Sequence, residues 1–209
     1  MRRANAQLQS DRRTEILDAA ERCFARSGFH GASIQEICTE AGMSPGNLYR
    51  YFNSKEELIA GISERNRADA VASFALVDQS PDFFEGLTGL ARNHLVDRTD
   101  AEVALCAEIM AESRRNPEIA RLFHDIEGDI KDRLAVMLRH AIERGEVRAD
   151  LDVEAAVTAL MVLGDGMSWR RSVEPGFDPE RVLPLIMRMV RCLLAKSAAC
   201  AGKAEENSR

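Results

Sequence analysis

Four of the six prolines in this 209-residue chain stand directly behind a residue able to cap a helix: Ser44-Pro45, Ser80-Pro81, Asn116-Pro117 and Asp178-Pro179. Proline has no N–H to donate and a fixed φ, so it is tolerated at the first position of a helix and disrupts the interior. A chain that places its prolines this way is built of helices with defined starts. The intervals between them carry apolar side chains at helical spacing. Ile16, Leu17, Ala20, Cys23 and Phe24 mark one face of a first helix, and Gly28 suits the left-handed turn that ends it. Ser33 to Glu36 reads S-x-x-E, a capping box, and opens a second helix with Ile34, Ile37 and Cys38 inward. Ala41-Gly42 stops that helix after about two turns, and Ser44-Pro45 starts a third. A second S-x-x-E box, Ser54 to Glu57, launches a fourth helix bearing Leu58, Ile59 and Ile62.

Further segments follow at about 82–96, 101–113 and 117–144, where Gly145 closes the last of them. Asp152 opens an eighth helix, and Pro175-Gly176 breaks the chain before a ninth. The expectation is an all-α chain of about nine helices, with disorder at residues 1–9 and 198–209. Pro184 lies inside the ninth segment, so that helix either begins later or kinks there.

Composition excludes several classes. Aromatics make up 5% and period-two runs are nearly absent, which argues against a sheet. The five cysteines form no C-x-x-C pair, and the four histidines lie far apart without paired ligand spacing. No metal, no cofactor and no catalytic constellation is expected. No run approaches ~18 apolar residues, so no membrane span is expected and the location is read as cytoplasmic.

The net charge of −6 is unevenly spread: residues 1–60 carry eight basic and eight acidic side chains, and the remainder holds the whole excess. Arg2, Arg3, Arg12 and Arg13 face only Asp11, as a charged tail or as an arm toward nucleic acid. From Ser44 to Lys55 there are Arg50 and Lys55 and no acid. Attraction to phosphate is set by charge within a screening length of about 10 Å, so the overall sign does not exclude a DNA surface.

The segment from Arg12 to Phe52 meets the demands of a helix–turn–helix. Gly42 permits the turn, Met43 plugs the corner, and Leu48 with Phe52 can anchor the third helix on Phe24 and Ile37. Pro45, Gly46, Asn47, Tyr49 and Arg50 then face outward, behind Ser44 as N-cap. Asn47 and Arg50 can pair with adenine or guanine edges, while Tyr49 and Lys55 can reach phosphates.

The run Arg13-Thr-Glu-Ile-Leu-Asp-Ala-Ala20, with Phe24, Gly28-Phe29, Ser33-Ile34, Ile37, Ala41-Gly42-Met43-Ser44, Gly46-Asn47-Leu48-Tyr49 and Tyr51-Phe52-Asn-Ser-Lys-Glu-Glu57-Leu58, resembles the DNA-binding domain of the TetR family of regulators. The likeness covers about 50 residues. It implies a helix–turn–helix domain over 10–55 and an effector-binding and dimerisation domain over 56–198. It also implies a homodimer on double-stranded palindromic operator DNA, joined through the last two helices and released by a small-molecule effector. By position, Ser33, Gln35, Ser44, Pro45, Gly46, Asn47, Tyr49, Arg50 and Lys55 would contact DNA. Ser33 stands where threonine is commoner and Cys38 where alanine is usual.

Phe84, His94, Cys106, Met110, Phe123, Met137, Met161 and Trp169 lie on helices that would enclose the family's effector cavity, with Trp169 and Met110 favoured. Arg170 and Arg171 are surface charges or partners for an anionic effector. The ninth segment has a wide apolar stripe. With Met161 of the eighth, Val182, Leu185, Ile186, Met189, Val190 and Leu193 are expected at a dimer seam. A rival keeps the DNA-binding head but makes the C-terminal part a protein-interaction or architectural module.

Overall fold

The computed structural model describes residues 2–196; of these, the side chains of 2–8 and 68–70 are outside the description. Among the described residues there are nine helices and no strand. They are α1 (Arg2–Gly31), α2 (Ile34–Glu40), α3 (Pro45–Leu48), α4 (Lys55–Gln79), α5 (Phe83–Leu95), α6 (Asp100–Glu112), α7 (Pro117–Glu143), α8 (Val153–Val173) and α9 (Pro179–Leu194). None is long and apolar enough to cross a membrane.

Contacts divide the chain into two compact units. The first comprises residues up to 68 together with 99–126, and the second comprises 69–98 and the chain from 127 onward. The first thus contains the whole 10–55 segment and adds the start of α4, all of α6 and the start of α7.

In the first unit the apolar face of α1 meets α2, α3 and α4 in one core. Ile16, Ala20, Phe24, Ile37, Leu48, Leu58 and Ile62 are each fully buried there. Burying a side chain of this size contributes about 1.5–3 kcal/mol, which is what fixes helices too short to persist alone. At the α1–α4 crossing, a Cβ on Gly61 would come within 2.8 Å of Leu17 and 3.1 Å of Phe52, so a larger residue there would push these side chains aside. In the second unit Phe83, Leu87, Leu134, Leu138, Val157, Val190 and Leu194 form a core shared by α5, α7, α8 and α9.

Most helix starts follow the capping chemistry. Asp82, Asp152 and Asp178 each accept an N–H three residues on, at the starts of α5, α8 and α9, and Thr99 with Glu102 forms a full capping box on α6. Pro45, Pro117 and Pro179 are first helical residues, but Pro81 is not. Asp82, two positions beyond Ser80, caps α5 instead, and the Ser80 hydroxyl donates to the Asp82 carbonyl. The box at Ser33 is half formed: its hydroxyl accepts the Glu36 N–H, while the Glu36 carboxylate is drawn away by Arg26.

α1 reaches back to Arg2, so residues 2–9 are helical rather than disordered; no proline or glycine precedes Gly28 to break the helix. The expectation for 198–209 lies outside the described residues. α9 runs unbroken from Pro179 and includes Pro184 on an exposed position, so the helix does not begin later.

Candidate DNA interface and effector region

Leu48 and Phe52 are 0% and 1% exposed, pinned in the first unit's core, and their burial turns the intervening face outward. Tyr49 is half exposed and Arg50 is exposed, while Pro45 and Asn47 are partly so. A Cβ on Gly46 would meet nothing within 4 Å, so no internal packing requires a glycine there. Gly42 has φ +62, which lets the turn between α2 and α3 close without strain. Ser44 occupies the N-cap of α3, yet its hydroxyl makes no capping bond. Ser33 and Gln35 are exposed at the start of α2. Tyr51 is half-buried and packs on the core. Cys38 is buried and does no more than pack.

Lys55 is placed differently from a free phosphate ligand. Its ammonium donates to the carbonyls of Phe29 at 2.6 Å and Ala32 at 3.1 Å and lies 4.6 Å from the centre of the Phe29 ring. An ammonium has three N–H donors, so these two bonds leave one. Arg13 is neither tail nor arm. Its guanidinium covers the Phe52 ring at 4.2 Å, holding α1 against the end of the turn that follows α3. Arg12 pairs with Glu15 at 2.5 Å. The side chains of Arg2 and Arg3 lie outside the description.

The acids nearest this face are hydrogen-bonded, two of them to arginines. Arg26 bonds Glu36 at 2.8 Å and Arg22 bonds Glu40 at 2.9 Å, and these bonds hold both carboxyls below the ordinary glutamate range. The Asn53 N–H does the same for Glu57, at 2.7 Å. The outward surface of α2 and α3 therefore presents hydroxyl, amide and guanidinium groups with its carboxylates already paired.

The residues expected at an effector are distributed otherwise than the sequence implied. Phe84 and Met137 are 7% and 3% exposed, packed in the second unit's core, and Met161 is half-buried against it. His94 is exposed on α5. Cys106, Met110 and Phe123 belong to the first unit and are half-buried. Trp169 is 54% exposed on α8, on the surface rather than in a cavity. Arg171 donates to the carbonyls of Leu95, Val96 and Arg98, closing the C-terminal end of α5, and Arg170 lies 3.6 Å from Glu174.

An open groove of about 550 Å³ lies between α4 and α5, lined by Ser73, Leu76, Gly86, Gly89, Leu90 and Asn93 among others. None of the expected effector residues lines it. Glycines carry no side-chain pattern, so nothing in the sequence marks this groove. Among the described residues, no group of three or more His, Cys, Asp or Glu could hold a metal ion.

The last two helices expose apolar surface. Leu185, Met189 and Leu193 are 50%, 60% and 38% exposed along α9, at i, i+4 and i+8. Val162, Trp169 and Val173 form a matching stripe on α8, with an unobstructed Gly166 between the first two. Val182 and Ile186 are half-buried. Val190 is 3% exposed, so it packs in the core instead of joining the exposed stripe where the seam was expected.

Residues 16–62 match the family of bacterial regulatory proteins named for tetR, and residues 87–195 match the C-terminal domain of BetI-type transcriptional repressors. The chain is 34% identical over 151 residues to the transcriptional regulator UidR of Escherichia coli K12, covering 72% of this chain and 76% of that protein. It is 27% identical over 181 residues to the repressor AcnR of Corynebacterium glutamicum, covering 86% and 92%. Among solved structures, GusR of Salmonella enterica superposes with a TM-score of 0.76 at 32% identity, over 88% of this chain and 95% of that one. A transcriptional regulator from Saccharomonospora viridis, solved in complex with choline, gives 0.78 at 25% identity, over 90% and 99%.

Proposed function

This chain belongs to the TetR family of transcriptional regulators, which are DNA-binding proteins and not enzymes, and on that premise we propose that it is a homodimeric repressor released from a palindromic operator by a small-molecule effector. The observation that carries the DNA-binding half is the acid-free surface from Ser44 to Lys55, turned outward because Leu48 and Phe52 are buried behind it. Asn47 and Arg50 read base edges in the major groove. Ser33, Gln35, Ser44, Pro45, Gly46 and Tyr49 approach the sugar–phosphate backbone, with the remaining N–H of Lys55.

The exposed stripes of α8 and α9 support a dimer, because apolar side chains at this spacing gain most by burial against a second copy. The choline-bound relative supports a small-molecule effector. Such an effector acts by binding more tightly to the conformation that does not fit the operator. The rival, a C-terminal module that binds a protein partner, is favoured by one observation: Phe84 and Met137 are packed into a core instead of lining a cavity. A thermal-shift panel of metabolites, with choline included, separates the two readings. Stabilisation that grows with ligand concentration supports the sensor.

The DNA face is tested with an operator selected from random oligonucleotides. Tyr49→Ala weakens binding to every sequence, and Arg50→Ala relaxes base preference with a loss of about 1–3 kcal/mol at the matched base. Wild-type affinity in Tyr49→Ala would place the docking face elsewhere.

A further inference from the structure

Gly28 has φ +70 and ψ 171, a backbone conformation that a side chain rarely adopts. A second constraint acts at the same atom. A Cβ built there would come within 2.9 Å of Oε2 of Glu108, which lies across from it on α6. The space is taken because that oxygen accepts the backbone N–H of the next residue, Phe29, at 3.1 Å. One turn along α6, Glu112 places its own Oε2 2.9 Å from Nε2 of His30. The i, i+4 spacing brings both carboxylates to one face of α6, and that face grips the corner made by residues 28–32.

The corner is held from its other side by Lys55, through the carbonyls of Phe29 and Ala32. Ala32 leads directly into Ser33, the N-cap of α2. Asn116, just past α6, adds a bond of 3.1 Å to Glu56 beside Lys55. Glu112 is 6% exposed, whereas the His30 side chain is 71% exposed. Burying a carboxylate to meet a solvent-facing imidazole costs desolvation that packing alone does not call for.

We propose that Glu108 and Glu112 of α6 are positioning residues for operator binding: they fix the 28–32 corner, and through it present Ser33 and Lys55 to the DNA backbone. This rests on the DNA face assigned above. Neither carboxylate touches DNA. Each acts through a bond to the corner, and the carboxylate of Glu108 passes close to the Cα of Gly28, whose positive φ already calls for glycine.

The test measures affinity of the full chain for the selected operator by fluorescence anisotropy at several salt concentrations. Glu108→Ala is expected to weaken binding about tenfold, the scale of a lost hydrogen bond to a charged group. It also lowers the slope of log affinity against log salt by about one, because one phosphate contact is no longer held in place. Glu108→Gln keeps an acceptor for the Phe29 N–H and stays within about twofold of wild type. His30→Ala removes the ring that meets the Glu112 carboxylate and weakens binding about threefold with the same change of slope. A merely structural role reduces the active fraction equally at every salt and leaves the slope alone.

Wild-type slopes in both Glu108→Ala and His30→Ala, or a Glu108→Gln variant as impaired as Glu108→Ala, overturn the positioning role while leaving the DNA face standing. A wild-type chain that selects no DNA removes the DNA face, and the positioning role with it.

Discussion

Glu21 is 8% exposed on α1, and Arg65 of α4 bridges its Oε2 and Asp18 at 2.5 Å each, while its other oxygen, Oε1, is buried without a hydrogen bond. Burial pushes its pKa above the ordinary glutamate value, an effect larger than the opposing pull of Arg65. The sign follows from linkage. A carboxyl whose folded pKa is raised favours the fold when protonated, so its ionised form costs stability above the ordinary value near pH 4.3, and fully so above the raised one. Glu21→Gln is therefore expected to melt at or above the wild-type temperature at pH 7–8, with the difference shrinking toward pH 4. Glu36, Glu40 and Glu57 have depressed values and lose their contribution as pH falls, but they are common to both proteins and cancel in the comparison. A Glu21→Gln variant that melts clearly lower at pH 7 would show that the Arg65 bond outweighs the buried charge.

The same scale shows where the candidate site was legible. Tyr49 and Arg50 are exposed where the helical period puts them, because Leu48 and Phe52 are apolar at i and i+4. Lys55 is also where the motif puts it, but its bonds to Phe29 and Ala32 reach back 26 and 23 residues, and no local pattern announces them. Glu108 lies 79 residues from the N–H it accepts. One sign of it was available: a glycine at 28, whose positive φ was readable but whose second reason, the carboxylate beside it, was not.

At the scale of the helix, starts were readable at three of the four places where a proline follows a capping side chain. Pro117 opens α7 because Asn116 accepts the N–H groups of Glu118 and Ile119. Ser80-Pro81 carries the same two residue types and opens nothing, since Asp82 competes for the cap and succeeds. α9 tests the proline rule from inside. Pro184 leaves the Glu180 carbonyl without its helical donor and presses its ring on the preceding turn. Pro184→Ala restores that bond at an exposed position and is expected to add about 1–3 kcal/mol, raising the melting temperature by several degrees. A lower melting temperature would mean that the proline holds a bend on which the packing of Leu183 and Val190 depends.

At the scale of the whole molecule the unmatched surface is apolar, on α8 and α9. The sequence marked the α9 stripe, since Leu185, Met189 and Leu193 repeat at four residues, but it assigned Val190 to the same seam and Trp169 to an effector. The fold reverses both: Val190 faces Leu194 and the second unit's core, and Trp169 joins Val162 and Val173 outside. Met189→Glu, at a position 60% exposed in the protomer, leaves the fold intact and is expected to yield monomers in sedimentation equilibrium. Operator affinity falls with it by at least about a hundredfold, because a monomer engages one half-site without the second. A dimeric Met189→Glu variant would place the interface on another face.

The sequence by itself determined the all-α class, most helix starts, the family and the outward face of α3, because each depends on residues within a few turns of one another. Capping, periodicity and turn chemistry act over three to four positions, and they leave a mark wherever they act. The tertiary structure alone decided which apolar residues are core and which are surface on α8 and α9, and which carboxylates hold the corner at Gly28. Those outcomes depend on partners tens of residues away. The side chains themselves, a leucine, a glutamate or a tryptophan, read the same in sequence whether they end up buried, paired or bare.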